Sequence, residues 1–187
     1  MENVFVYLTG APGVGKYTVG KLLAGQMPAR LVDNHYWNNP ILEIVEPDGQ
    51  SPLPAAVWDR ASAVRTAVLE TIATLAPPNR NFVFTHAIFR SGGQPLDFAI
   101  AGQILYAAER RKARTLLVRL SCAAAELAGR IESPGRAERL KQRNAARAER
   151  YAQQAPFPLA HDWILDIDTT GSSAAQTAAQ IMQALRS

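Results

Sequence analysis

The sequence predicts an α/β fold, a five-stranded parallel sheet with helices on both faces, and two observations carry that prediction. Short apolar, β-branched and aromatic runs alternate with helical patterns five times along 187 residues, with no long linker, repeat or low-complexity tail. The first alternation contains GAPGVGKYT, Gly10 to Thr18, a glycine-rich turn between a strand and a helix. Alternation of this kind builds a parallel sheet, because parallel neighbours need a crossover that covers one face.

Each element has its own justification. NVFVYLT (3–9) is an apolar run of strand length, and KYTVGKLLAGQM behind it places Val19, Leu22, Leu23 and Met27 on one helical face. ARLVD (29–33) reads as the second strand, ending in a polar and aromatic loop, NHYWNNP; EPDGQSPLP then punctuates the chain with three prolines. A long helix over about 55–76 has Val57, Ala61, Val64, Val68, Ile72 and Leu75 as its expected core face. RNFVFTHA is the third strand, followed by the loop RSGGQP and a helix over about 96–111. RTLLVRLS is the fourth, followed by a helix through Leu127, the interruption IESPGR and a strongly basic helix over about 136–152. The strand DWILDI and a helix from Ser173 to Leu185 close the order.

Composition bounds the function. A 48% hydrophobic content over this length suits one domain spanning 1–187, with a substantial core. The net charge of +4 is modest, but only four of the twenty basic residues are lysines, and arginine is the better fork for phosphate and carboxylate oxygens. Nucleic acid would explain the same surplus, so charge alone does not decide. The lone Cys122 cannot form an internal disulfide and is expected to be buried at a strand end. The first apolar run is too short for a signal peptide or membrane span, so a cytoplasmic protein with no membrane partner is expected.

Ligands of such sheets bind beyond the carboxyl ends of the strands, so the residues after each strand are the candidates. After the first comes the loop. Gly10, Gly13 and Gly15, with Ala11, Pro12 and Val14 between them, let the chain turn so that successive backbone N–H groups up to Thr18, all but that of Pro12, which has none, converge on phosphate oxygens. Lys16 adds a point charge there. Against the pattern G-x-x-x-x-G-K-[ST] the match fails at Tyr17, and the hydroxyl expected to support a metal comes one place later, at Thr18.

After the second strand stands Asp33, with Asn34 and His35; its carboxylate could take a proton from a substrate hydroxyl or hold a magnesium-bound water, or simply form an Asx turn. The third strand ends in Thr85 and His86, with no aspartate, and His86 is a candidate substrate contact. Arg60 and Arg65 on the long helix, and Arg90 in the loop after the third strand, are candidates for an anionic group on the substrate. Arg139, Arg143 and Arg147 recur at i, i+4 and i+8 with Arg136 and Arg150 near their stripe, an excess of like charge that an anion would relieve.

GAPGVGKYT resembles the loop of adenylate kinases, G-x-P-G-x-G-K-G-T, whose threonine also stands two places after the lysine. The chain is similar in element order to the small P-loop kinases of metabolites: adenylate, shikimate and gluconate kinases and chloramphenicol phosphotransferase. The resemblance implies a P-loop NTPase three-layer α/β/α sandwich with an arginine-rich lid over about 131–150. It implies ATP and Mg2+ as cofactors, and Asp33 at the acceptor. It places Arg136 on the transferring phosphoryl group, Arg130 against adenine, and Thr169, Thr170 and Gly171 beside the base. The expected activity is transfer of the γ-phosphoryl group of ATP to a small hydroxyl- or phosphate-bearing metabolite, by a monomer or homodimer. The rivals are an acceptor-independent ATP-binding regulatory module and a nucleic-acid-end kinase, the latter poorly supported because interleaved aromatics are expected there and only Tyr151 lies near the arginines.

Overall fold

The computed structural model describes residues 2–48, 51–88, 95–132, 148–153 and 158–187. Five strands, β1 (Val4–Thr9), β2 (Ala29–Asp33), β3 (Asn81–His86), β4 (Arg114–Ser121) and β5 (Ile164–Asp168), pair in the order β2-β3-β1-β4-β5, with every pair parallel. β1 is central and buried along its whole length, which is why VFVYLT is apolar at every position instead of alternating. Its two faces feed two cores: Val4, Val6 and Leu8 join one, Phe5 and Tyr7 the other.

The first face is covered by α1 (Lys16–Gln26) and α7 (Ala174–Arg186), with side chains of α5 (Ala124–Ile131) and the short α6 (Ala148–Ala152) in the same core. The second is covered by α3 (Ala55–Thr74) and α4 (Pro95–Arg110), and Trp37 of α2 (His35–Val45) joins that core. β3 and β4 flank β1 on opposite sides, so the strand order reverses at the carboxyl end of β1 and opens a crevice there. Among the described residues no helix is long and apolar enough to cross a membrane. Cys122 is buried just beyond β4, as expected, and Ser173 caps α7 in a full capping box with Gln176.

Two expectations fail. NHYWNNP is not a loop: it forms the first turns of α2, with Pro40 inside the helix. A proline there removes one backbone hydrogen bond and costs about 3 kcal/mol. Complete burial of the Trp37 indole and of most of Leu42 offsets this. The core face of α3 is also rotated. Val57, Ala61 and Ile72 are buried as expected, but Arg65 and Leu69 take the central places, Val64 and Val68 sit at its margin, and Leu75 is 78% exposed. Sequence periodicity skipped Arg65 because it is charged, and took Val64 and Val68 in place of Arg65 and Leu69, which stand one position further along the same helix.

Candidate active site at the carboxyl end of the sheet

The glycine loop leaves β1 at the reversal point and ends in α1, with Gly15 as the N-cap residue at φ 97°. Gly10 and Gly13 also have positive φ, 134° and 95°. Close packing demands glycine at both. A Cβ on Gly10 would lie 2.2 Å from the Leu120 carbonyl oxygen, and one on Gly13 would lie 2.8 Å from side-chain carbons of Leu127 and Ile131 on α5. The loop is thus pressed against β4 and α5. Lys16 Nζ donates to the carbonyl oxygens of Gly10 and Ala11, at 2.6 and 2.7 Å, folded over the turn it serves. Thr18 is exposed on the first turn of α1, and Tyr17 is half-buried with Lys21 Nζ 6.0 Å from its ring centre.

One border of the crevice is the turn between β5 and α7. Arg130 on α5 donates to the hydroxyl and carbonyl of Thr169, at 3.0 and 2.9 Å, and is paired with Glu126 one helical turn earlier. Glu126 also accepts from the Gly171 N–H at 2.8 Å; that bond, and then Arg130, hold its carboxyl below the usual range. The Thr169 hydroxyl in turn donates to the Ser121 carbonyl at 2.8 Å and lies 3.3 Å from the Val14 carbonyl of the glycine loop. Thr170 is committed to the turn itself, donating to Asp168 and accepting from the Ala123 N–H. Glu126 was not anticipated, although its i, i+4 spacing to Arg130 is visible in the sequence.

The other border is built on β2 and β3. Asp33 is 8% exposed; its Oδ1 accepts from the His35 N–H at 3.0 Å, the Asx geometry anticipated for it. Its Oδ2 accepts from the Thr85 hydroxyl at 2.8 Å. Thr85, at the end of β3, thus holds the carboxylate of the neighbouring strand. Asp33 and Tyr17 line one cavity of about 430 Å3, together with Leu31 and with His35, Tyr36, Asn39, Pro40 and Glu43 of α2. Sequence reading missed this wall because it took α2 for a loop. His35 is fixed there by Asn39, at 2.9 Å.

Beneath the crevice lies a buried relay. The Tyr7 hydroxyl lies 2.9 Å from His86 Nδ1, and His86 Nε2 faces Asp97 Oδ1 at 3.5 Å; a neutral ring with its proton on Nε2, towards the carboxylate, accepts from Tyr7. His86 is 3% exposed; burial lowers its pKa, Asp97 raises it, and Lys16 and Arg65 lower it further. Burial and the Asp97 charge push the Tyr7 phenol far up, so it stays a donor. Asp97, in the first turn of α4, carried no sequence signal.

Arg65 does not flank the apolar face of α3 but lies in it, 2% exposed, donating to Ser62 on its own helix and to Gln103 on α4. Burial lowers its pKa. Arg60 is exposed. Arg90, Arg136, Arg139, Arg143 and Arg147 lie outside the described residues, as does most of the segment expected to form the lid.

A turn of positive-φ glycines at the reversal point of a 2-3-1-4-5 parallel sheet belongs to the fold of the small P-loop kinases, and the chain has that fold. A gluconokinase from Sinorhizobium meliloti superposes with a TM-score of 0.63 at 14% identity, over 98% of this chain and 92% of that one. A sugar kinase from Janibacter gives 0.63 at 13%, over 98% and 95%. The Mycobacterium tuberculosis APS kinase CysC, in complex with AMPPNP and APS, gives 0.56 at 16%, over 100% and 99%. At such identities the likeness is one of fold. No family model matches the sequence, and no curated protein matches it.

Proposed function

We propose that the protein is an ATP-dependent phosphotransferase that moves the γ-phosphoryl group of ATP to a hydroxyl of a small metabolite, with Mg2+. The observation that carries this reading is the continuity of the site: Tyr17, adjoining Lys16 on the phosphate loop, and Asp33 line the same cavity. A polyphosphate bound in the loop and a hydroxyl bound in that cavity would meet beside one carboxylate.

The residues fit a nucleoside triphosphate. Gly10, Gly13 and Gly15 hold positive φ, a conformation in which a turn can aim successive N–H groups at phosphate oxygens, and the carbonyl-bound Lys16 ammonium needs only to swing onto the β and γ phosphates. Arg130, clamped by Glu126, defines the base-side border with Thr169 and Thr170. Bound magnesium would neutralise charge on the β and γ oxygens. Among the described residues no cluster of three or more metal-ligating acids, histidines or cysteines exists, which suits an ion that keeps its waters and leans on phosphate, with Asp33 and Thr18 as outer partners. In the transfer, the acceptor oxygen bonds to the γ phosphorus as the bond to the bridging oxygen breaks. ADP leaves, and the hydroxyl proton passes to Asp33, which Thr85 and the His35 N–H hold in place. Holding Asp33 while Lys16 neutralises developing charge is where the rate enhancement would arise.

Calorimetric titration with ATP and Mg2+ tests the first half. Lys16→Ala should weaken binding at least about tenfold. Assaying ADP release against hydroxyl-bearing metabolites tests the second. Acceptor-dependent turnover is expected, and Asp33→Asn should lower kcat about 100-fold or more with ATP affinity retained. Turnover indifferent to every acceptor would mark an acceptor-independent ATPase, and dependence on oligonucleotide a nucleic-acid-end kinase.

A further inference from the structure

One buried hydroxyl joins the β5–α7 turn to the middle of the phosphate loop. Thr169, the residue after β5, is 2% exposed. Its N–H donates to the Ser121 carbonyl at the end of β4 at 2.9 Å, and its hydroxyl donates to the same oxygen at 2.8 Å. The single hydroxyl proton also faces the Val14 carbonyl at 3.3 Å, a three-centre arrangement, while Arg130 donates to the hydroxyl oxygen at 3.0 Å. A hydroxyl that accepts from a guanidinium becomes a stronger donor, so Arg130 reinforces both contacts.

The Val14 carbonyl belongs to the peptide unit that leads into Gly15. In a trans peptide such as this one, the C=O and the following N–H point in opposite directions. A Val14 carbonyl turned onto Thr169 therefore turns the Gly15 N–H away from Thr169. Glycine, here at φ 97°, lets the preceding peptide turn over at little steric cost, and the reversed form would aim a carbonyl oxygen where a phosphate needs a donor. The flanking groups are held from within the loop and helix: the Val14 N–H donates to the Ala11 carbonyl at 3.4 Å, and the Gly15 carbonyl accepts from the Val19 N–H at 3.0 Å. The peptide between them is held from outside, by Thr169.

We propose that Thr169 is a positioning residue for phosphate binding: its hydroxyl, polarised by Arg130, keeps the Val14–Gly15 peptide in the orientation that presents the Gly15 N–H to a nucleotide phosphate. The inference rests on the phosphotransferase reading, which supplies the phosphate. It gives a residue expected beside the base a part in holding the phosphates, and it couples the two halves of the nucleotide site through one side chain.

Two probes separate a role at the loop from a role at the base turn: ATP and inorganic tripolyphosphate, each with Mg2+, titrated calorimetrically into the wild-type protein, Thr169→Val and Thr169→Ser. Valine keeps the buried volume and loses the hydroxyl, whereas serine keeps the hydroxyl. Thr169→Val should weaken tripolyphosphate, which has no base, about fivefold or more, and ATP by at least as much. Thr169→Ser should bind both within about twofold of the wild type. Where the valine variant does not fold, Thr169→Cys, with only a weak donor in that place, carries the same expectation. Unchanged tripolyphosphate affinity without the hydroxyl, whether or not ATP weakens, would confine Thr169 to the base turn and overturn the assignment. An equal loss in Thr169→Ser would overturn it by tracing the effect to the methyl group. Wild-type protein that binds ATP but not tripolyphosphate would overturn it too, because the loop would not be preset for phosphate. Binding of neither ligand by the wild type sinks the phosphotransferase reading itself.

Discussion

The two borders of the crevice are built differently. On the side of the glycine loop the path of the main chain is fixed by packing, because Gly10 and Gly13 press against Leu120, Leu127 and Ile131. On the side of β2, α2 and α3 the candidate groups are side chains, each held by one or two hydrogen bonds, as Asp33 is by Thr85 and His35. Backbone held by packing has few solutions, and they demand glycines at set spacings. Side chains on a helix can carry many chemistries on the same frame.

The contrast is most exposed at Gly10. Gly10→Ala adds a Cβ 2.2 Å from a backbone oxygen of a central strand, at a φ of 134°, and neither partner is the movable end of a side chain. We expect a loss of about 3 kcal/mol or more in urea unfolding, and loss of ATP binding in whatever remains folded. A cost under about 1 kcal/mol would mean that the loop is not pinned, and the distinction between the borders would fall.

This difference also explains what could be read in advance. Five strands were legible as five apolar runs, and β2 and β4 fall on the residues the pattern marked, although their order across the sheet was not. The glycine loop was legible for the same reason that Gly10→Ala should be severe. The acceptor border was not. Pro40 and the asparagines of NHYWNNP favour a loop locally, and only the tertiary burial of Trp37 makes them helix. Arg65 looked like a surface cation until α4 supplied Gln103, and Asp97 gains meaning only when the fold brings it to His86.

A smaller effect is expected at the rim of the nucleotide side. Arg130→Ala removes the donor to Thr169 and the partner of Glu126, loosening the turn before α7 without touching the loop glycines. ATP affinity should fall about tenfold by calorimetry, with the unfolding midpoint nearly unchanged. Wild-type affinity in this variant would detach α5 from the nucleotide border.

The relay under the acceptor side should show itself through pH. His86 is neutral when buried, its pKa below the ordinary 6.5. The unfolded chain therefore takes up the proton first, and stability falls as pH is lowered through about 6.5 towards the folded value. The drop in unfolding free energy between pH 7 and 5 should be smaller in His86→Gln than in the wild type. Identical pH profiles would mean that Asp97 fully offsets the cost of burial.

The smallest change, and the most discriminating, is at the boundary itself. Tyr17→Ser restores the strict G-x-x-x-x-G-K-[ST] pattern, so if the tyrosine were a defect in the phosphate loop, ATP·Mg2+ binding should tighten tenfold or more. The geometry argues otherwise. The Tyr17 side chain lines the cavity with Asp33 and Glu43, while the backbone N–H groups and Lys16 proposed to hold phosphate are not altered by the substitution. ATP affinity should then shift by less than about threefold, whereas the KM for a cavity-bound acceptor should rise, because one of two ring walls is gone. Tyr17 would belong to the acceptor border while standing in the nucleotide motif, and a tenfold gain in ATP binding with an unmoved acceptor KM would return it to the other side.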